Sequence, residues 1–100
     1  MAYDPGALEA ALAAAVGDTS TLIDELRAVF LDSATGYLAS MQIAEDAAAW
    51  QGAAQRLTSL AASFGAVRVI DAARAAGAAS PGDARALTRI DRALAALRPA

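Results

Sequence analysis

Reactive side chains are scarce in this 100-residue chain, which contains no histidine and no cysteine. Without histidine there is no imidazole acid–base catalysis, no imidazole metal ligation and no phosphohistidine chemistry. Without cysteine there are no disulfides and no thiolate chemistry. What remains is one short polar stretch, Gln55, Arg56, Thr58 and Ser59, and two adjacent acid pairs, Asp24-Glu25 and Glu45-Asp46. A hydroxyl becomes a nucleophile only with a base in hydrogen-bond reach, and no acid lies within four residues of Ser59. The carboxamide nitrogen of Gln55 is not nucleophilic, because its lone pair is delocalised into the carbonyl. The acid pairs suit helix caps and solvated surface better than a metal or acid–base site. The expectation is no enzymatic activity, no metal and no cofactor.

The polar stretch belongs to a segment that reads as a helix, Trp50 to Ala66. Trp50, Ala53, Ala54, Leu57, Leu60, Ala61 and Phe64 recur at spacings of three and four, which makes one apolar stripe. Gly65 follows as a natural stop, since glycine takes the left-handed conformation at little cost. The opposite side carries Ala48, Gly52, Gln55, Ser59 and Ala62. A solvated helix face is usually charged, and this one is smooth. Either the helix is buried on two sides in an alanine-rich bundle, or the smooth side is a docking face where Gly52 and Ser59 let a partner's backbone approach.

The same segment resembles the motif of histidine-phosphotransfer (HPt) domains, H-x-L-K-G-x-[SA]-x-x-[LF]-G-A. Laid on residues 55–66, Leu57, Ala61, Phe64, Gly65 and Ala66 match. Gln55 stands where the phospho-accepting histidine would be, Thr58 where the lysine would be, and Ser59 where the glycine would be. Upstream, E-L-x-x-x-F-L at Glu25 to Leu31 looks like the start of the long helix that precedes the motif helix in this family. The resemblance spans about Thr21 to Leu97. In a working HPt domain, it implies, an exposed histidine accepts a phosphoryl group from a receiver aspartate, the lysine helps hold it and the glycine keeps the approach clear. Here Gln55 cannot carry phosphoryl and Thr58 brings no charge. Arg56 offers a planar fork in place of a flexible ammonium. The scaffold half of the motif is kept and the chemical half is gone.

The elements that must position this helix follow from composition. Apolar residues make up 57% of the chain and aromatics 5%. Alanine, the best helix former, is by far the commonest residue. The length suits one domain over residues 1–100, of all-α class. Net charge is −3, from eight arginines and eleven acids. No basic patch exists of the kind that neutralises phosphates, so nucleic-acid binding is not expected. There is no apolar window of about eighteen residues to cross a membrane and no basic-then-apolar leader. A cytoplasmic protein is expected.

Five helices are expected along the chain. Asp4-Pro5 reads as a cap and first turn, with Leu8, Leu12 and Val16 on one face of a short N-terminal helix that Gly17 closes. Thr21 with Asp24 has capping-box spacing and opens a long helix. Its stripe is Leu22, Ile23, Leu26, Val29, Phe30, Ala34, Tyr37, Leu38 and Met41, and Gly36 within it suggests close contact with a neighbouring helix. A break is expected near Ala44 to Asp46, with Asp46 as cap of the motif helix. Val67, Ile70, Ala73 and Ala76 or Gly77 line the next helix, where Asp71 can pair with Arg68 or Arg74. Ser80-Pro81-Gly82-Asp83 reads as a helix start with Ser80 as cap and Asp83 closing a capping box. The last helix buries Leu87, Ile90, Leu94 and Leu97 and turns Arg85, Arg89, Arg92 and Arg98 outward. Arg89 and Arg92 would suit an acidic partner surface.

The expected architecture is an antiparallel up-down four-helix bundle with an additional short N-terminal helix, HPt-like in arrangement. The resemblance implies a phosphorelay module that binds a response-regulator receiver domain or a histidine kinase through Gly52, Gln55, Arg56, Thr58, Ser59 and Ala62. The alternative is a structural bundle that forms a homodimer through the small-residue face of the Asp46–Ser63 helix.

Overall fold

A computed structural model describes residues 5–99, with side-chain surroundings from Thr19 onward. Four helices make up an all-α bundle: α1 (Pro5–Gln42), α2 (Ala47–Phe64), α3 (Val67–Ala78) and α4 (Ala84–Ala95). α1 packs on α2 and α4, and α3 packs on the same two. All four helices contribute to a single core. No helix is long and apolar enough to cross a membrane.

Half of the core is alanine. Phe30, Ala34, Leu38 and Met41 come from α1, and Trp50, Ala53, Ala54, Leu57 and Ala61 from α2. α3 adds Val69, Ala72, Ala73 and Ala76, and α4 adds Ile90, Ala93 and Leu94. Small side chains let helix axes approach to the short end of the ~8–10 Å range. The cost is that each alanine hides little area. The burden of apolar burial therefore falls on a few large residues, chief among them Trp50, which is wholly buried. Its indole Nε1 donates to the carbonyl of Ala76 at 2.7 Å. That carbonyl lies in the last turn of α3, where helix carbonyls have no partner further along the helix, and it also accepts from Ala79 N–H.

The helix ends are set by local chemistry. Asp46 caps α2, accepting from Ala49 N–H at 2.7 Å. The break expected at Ala44 to Asp46 is present. Gly65 ends α2 in the left-handed region at φ 67°. Its N–H donates to Ala62 O, and Ala66 N–H donates to Ala61 O, the paired bonds of a Schellman stop.

Several expectations need correction. There is no separate N-terminal helix, because α1 runs unbroken through Gly17 and the residues 18–21 read as caps. The cost of one interior glycine, about 1 kcal/mol, does not by itself stop a helix. Asp4 lies outside the described residues, and the expected face of Leu8, Leu12 and Val16 lies outside the described side chains. Gly36 makes no close helix contact. It is exposed, and a Cβ there would meet nothing within 4 Å. Asp83, not Ser80, caps α4, accepting from Ala86 N–H at 2.9 Å. Ser80 instead opens a turn, closed by Asp83 N–H to Ser80 O, with Pro81 second and Gly82 third at φ 82°. That is the residue pattern of a type II turn. α3 buries Val69, Ala72, Ala73 and Ala76, while Val67 is exposed. Asp71 forms no ion pair; among the described residues the one ion pair is Arg27–Asp24 at 3.9 Å.

Two glycines should respond in opposite directions. Gly36→Ala should raise stability by about 1 kcal/mol, since it improves helix propensity in open space. Gly65→Ala should cost about 1–2 kcal/mol, because Cβ clashes in the left-handed region. Urea midpoints at unchanged slope would measure both. Trp50→Phe should cost about 1–3 kcal/mol, through one lost hydrogen bond and a small void. Trp50→Ala should cost about 3–5 kcal/mol, a large share of the ~5–15 kcal/mol that holds a domain folded.

Candidate functional site

α2 turns its structural residues and its polar residues to opposite sides. Trp50, Ala53, Ala54, Leu57 and Ala61 are buried. Ala48, Gln55, Ser59 and Ala62 are exposed and Gly52 is half-buried. The helix is therefore not buried on two sides, and the smooth face meets solvent. Gly52, Gln55, Ser59 and Ala62 follow one another at steps of three and four, a row about 15 Å long. Every side chain along it is small or uncharged.

The structure does not gather all six expected site residues into one cluster. Arg56 and Thr58, two positions apart, project about 160° from one another and flank the row on opposite sides. Thr58 is half-buried, and its hydroxyl donates to Ala54 O at 2.8 Å. It is tied to the helix backbone, so it is a poor nucleophile and a poor donor to a ligand. Arg56 lies back toward Gly52, where an added Cβ would stand 3.9 Å from the guanidinium Nη1. The row thus carries one positive charge at its edge and none at its centre. Ser63 Oγ donates to Ser59 O at 3.1 Å, so the last turn of the face is also closed on itself. Such a surface can be covered by a partner. It offers no base, no bound charge pair and no polar pocket for a reaction.

A second feature escaped the reading of the sequence. Leu22, Ile23, Leu26 and Val29, part of the apolar stripe expected on α1, are exposed. Phe64, on the apolar stripe of α2, is 41% exposed. Its ring lies 5.1 Å from that of Phe30, tilted by 35°. Ile23, Leu26, Phe30, Phe64 and Leu97 line an open hollow of about 360 Å³ where α1 leaves the bundle. The signal was helix length. Periodicity shows which face of α1 is apolar, but only the shorter helices decide how much of that face finds a partner.

Neither a protein-family model, nor a curated protein, nor a solved structure matches the chain. The likeness to HPt domains rests on the residues of α2 and on the helix order.

The face should be dispensable for folding. Gln55→Ala and Ser59→Ala should each change unfolding free energy by less than about 0.5 kcal/mol, whereas Leu57→Ala should cost about 2–5 kcal/mol. Thermal and urea unfolding by circular dichroism would show whether the two classes separate. A large loss at Gln55 or Ser59 would make the face part of the fold and not a free surface.

Proposed function

We propose that this domain is an HPt-like docking module of a phosphorelay, which binds a receiver domain or a histidine kinase and carries no phosphoryl group itself. The observation that carries the reading is how the motif positions divide. Where the motif would keep its scaffold, Leu57 and Ala61 are buried, Gly65 makes the left-handed stop and Phe64 is partly open. Where it would keep its chemistry, Gln55 and Ser59 are exposed and Thr58 is half-buried. A receiver docks on such a domain largely by shape and apolar contact beside the reacting residue. A smooth row can keep that role after the acceptor is lost.

The antiparallel up-down arrangement that the reading requires has support in two contacts. Trp50 at the start of α2 meets Ala76 at the end of α3. Phe64 at the end of α2 meets Phe30 of α1. The short connections 43–46, 65–66 and 79–83 suit neighbours that run in opposite directions. In this reading the protein is cytoplasmic, and it acts by sequestering a partner rather than by turnover.

Titration of ¹⁵N-labelled protein with a receiver domain encoded beside its gene tests the reading. Shifts should centre on Gly52, Gln55, Ser59 and Ala62, and Ser59→Arg should weaken binding by at least about tenfold, as bulk and charge enter the contact. No acid-labile phosphate should appear on the domain with a phosphorylated receiver. Absence of shifts with several receivers and with kinase domains would defeat the proposal. A dimer that protects Gln55 would favour self-association through the same face.

A further inference from the structure

The length of this bundle is set by its short helices. α3 and α4 have 12 residues each, about 18 Å of helix. α1 has 38, about 57 Å. The molecule measures 67 × 27 × 17 Å, so α1 extends well past the bundle as an arm. Every residue from Thr19 to Val29 is exposed. Among them Leu22, Ile23, Leu26 and Val29 are 53, 49, 45 and 59% exposed. A helix in a protein is held chiefly by burial of its apolar face, and from Thr19 to Val29 the arm finds little of it within one chain.

Charge says what would cover it. Between Pro5 and Val29 the arm carries Glu9, Asp18, Asp24 and Glu25 against Arg27 alone. The stretch after Gly65 carries six arginines against three aspartates. The positive groups also lie near the arm's root. The hollow of Phe30, Phe64 and Leu97 shares Gly65, Ala66 and Leu97 with an adjoining groove that Arg68 also lines. Arg68 in turn shares a recess with Arg89, Arg92 and one carboxylate, Asp71, which leaves the recess net positive. One copy therefore holds an acidic arm with an apolar stripe, and beside the arm's root an apolar hollow that leads to arginines.

We propose that the chain forms a two-fold dimer in which the arms lie antiparallel, each reaching the hollow and the arginine recess of the other copy. A parallel pairing would leave both recesses uncovered. The antiparallel one brings the end of each acidic arm to the other copy's arginines and closes on itself, as a self-complementary interface must. The size is sufficient. The arm before Phe30 is about 37 Å long, and half the circumference of a helix about 11 Å across gives roughly 600 Å² of contact band. With the hollow added, each copy hides close to the ~800 Å² typical of a stable association. This interface leaves the Gly52–Ala62 row of α2 free, so it stands or falls independently of receiver docking.

Sedimentation equilibrium of the full chain between about 1 and 200 µM tests the proposal. A dimer is expected, with its dissociation constant rising several-fold from low to high salt as the charge pairing is screened. Leu26→Glu with Val29→Glu should shift dissociation by at least about a hundredfold. Arg92→Glu, an exposed position that leaves the core intact, should shift it about tenfold, and Ser59→Arg should leave the mass unchanged. A monomer at every concentration would overturn the proposal, including one in which the arm folds back on its own bundle. So would a dimer that Ser59→Arg dissolves and the arm variants do not.

Discussion

The bond from Trp50 Nε1 to Ala76 O is the constraint on which the bundle depends. An alanine-rich core brings helices close but supplies little area per residue, so the register of α2 against α3 is weakly fixed by alanines alone. One small methyl fits against another at several offsets. A buried indole does not. Its ring needs a space of one size, and its N–H needs an acceptor at one place, because an unpaired buried donor costs about 1–3 kcal/mol. The last turn of α3 offers that acceptor, since a helix end has carbonyls with no partner of their own. The start of α2 is thus tied to the end of α3 by size and by direction. Gly77, next to the acceptor, lies alongside Ala54, with only ordinary contact distance to spare for a Cβ.

From that anchor the rest of α2 follows. With Trp50 inward, the period of 3.6 places Ala53, Ala54, Leu57 and Ala61 inward as well. The same rotation turns Gln55 and Ser59 out. The smooth row is therefore a by-product of where the core lies. In the proposed reading this is how a motif could lose its acceptor and its cation and still keep its shape: Leu57, Ala61 and Gly65 answer to packing and to backbone conformation, while Gln55 and Ser59 bear on neither. Thr58 marks the boundary between the two groups. It sits at the flank, half-buried, and resolves its hydroxyl by donating to Ala54 O.

Much of this was legible in the sequence, and the failures have common causes. The stripe of α2, its Asp46 cap and its Gly65 stop could be read because each is local: a period, a carboxylate before a run of alanine, a glycine after a phenylalanine. Ile90 and Leu94 could be read in α4 for the same reason. Ser80 was misread because proline suits both a first helical turn and the second place of a turn. Gly82 behind it, at φ 82°, decides for the turn. Gly17 does not end α1, because the cost of one glycine, about 1 kcal/mol, is small enough for a long helix to absorb. The stripe of α1 is legible as a pattern, but the pattern does not say how much of it is core. Leu26 and Phe30 stand on neighbouring parts of one stripe, yet Phe30 is 3% exposed and Leu26 is 45% exposed.

That difference comes from a global property that no local pattern contains. A residue is buried only if another element reaches it, and reach is a matter of length. Two helices of about 18 Å cannot cover one of about 57 Å. Where they end, Phe64, Leu97 and Pro99 stand beside α1. Among the described side chains, Phe30 is the buried residue of α1 nearest its start, and Phe64, 5.1 Å from it, is already partly open. From Leu22 to Val29 the same apolar spacing continues on exposed side chains. A sequence has no reason to keep leucine, isoleucine and valine at core spacing on a helix that only water meets, since scattered exposed apolar residues need no period. The periodicity of the arm is thus an argument about its surroundings, and it is the pattern that the proposed pairing of two copies would cover.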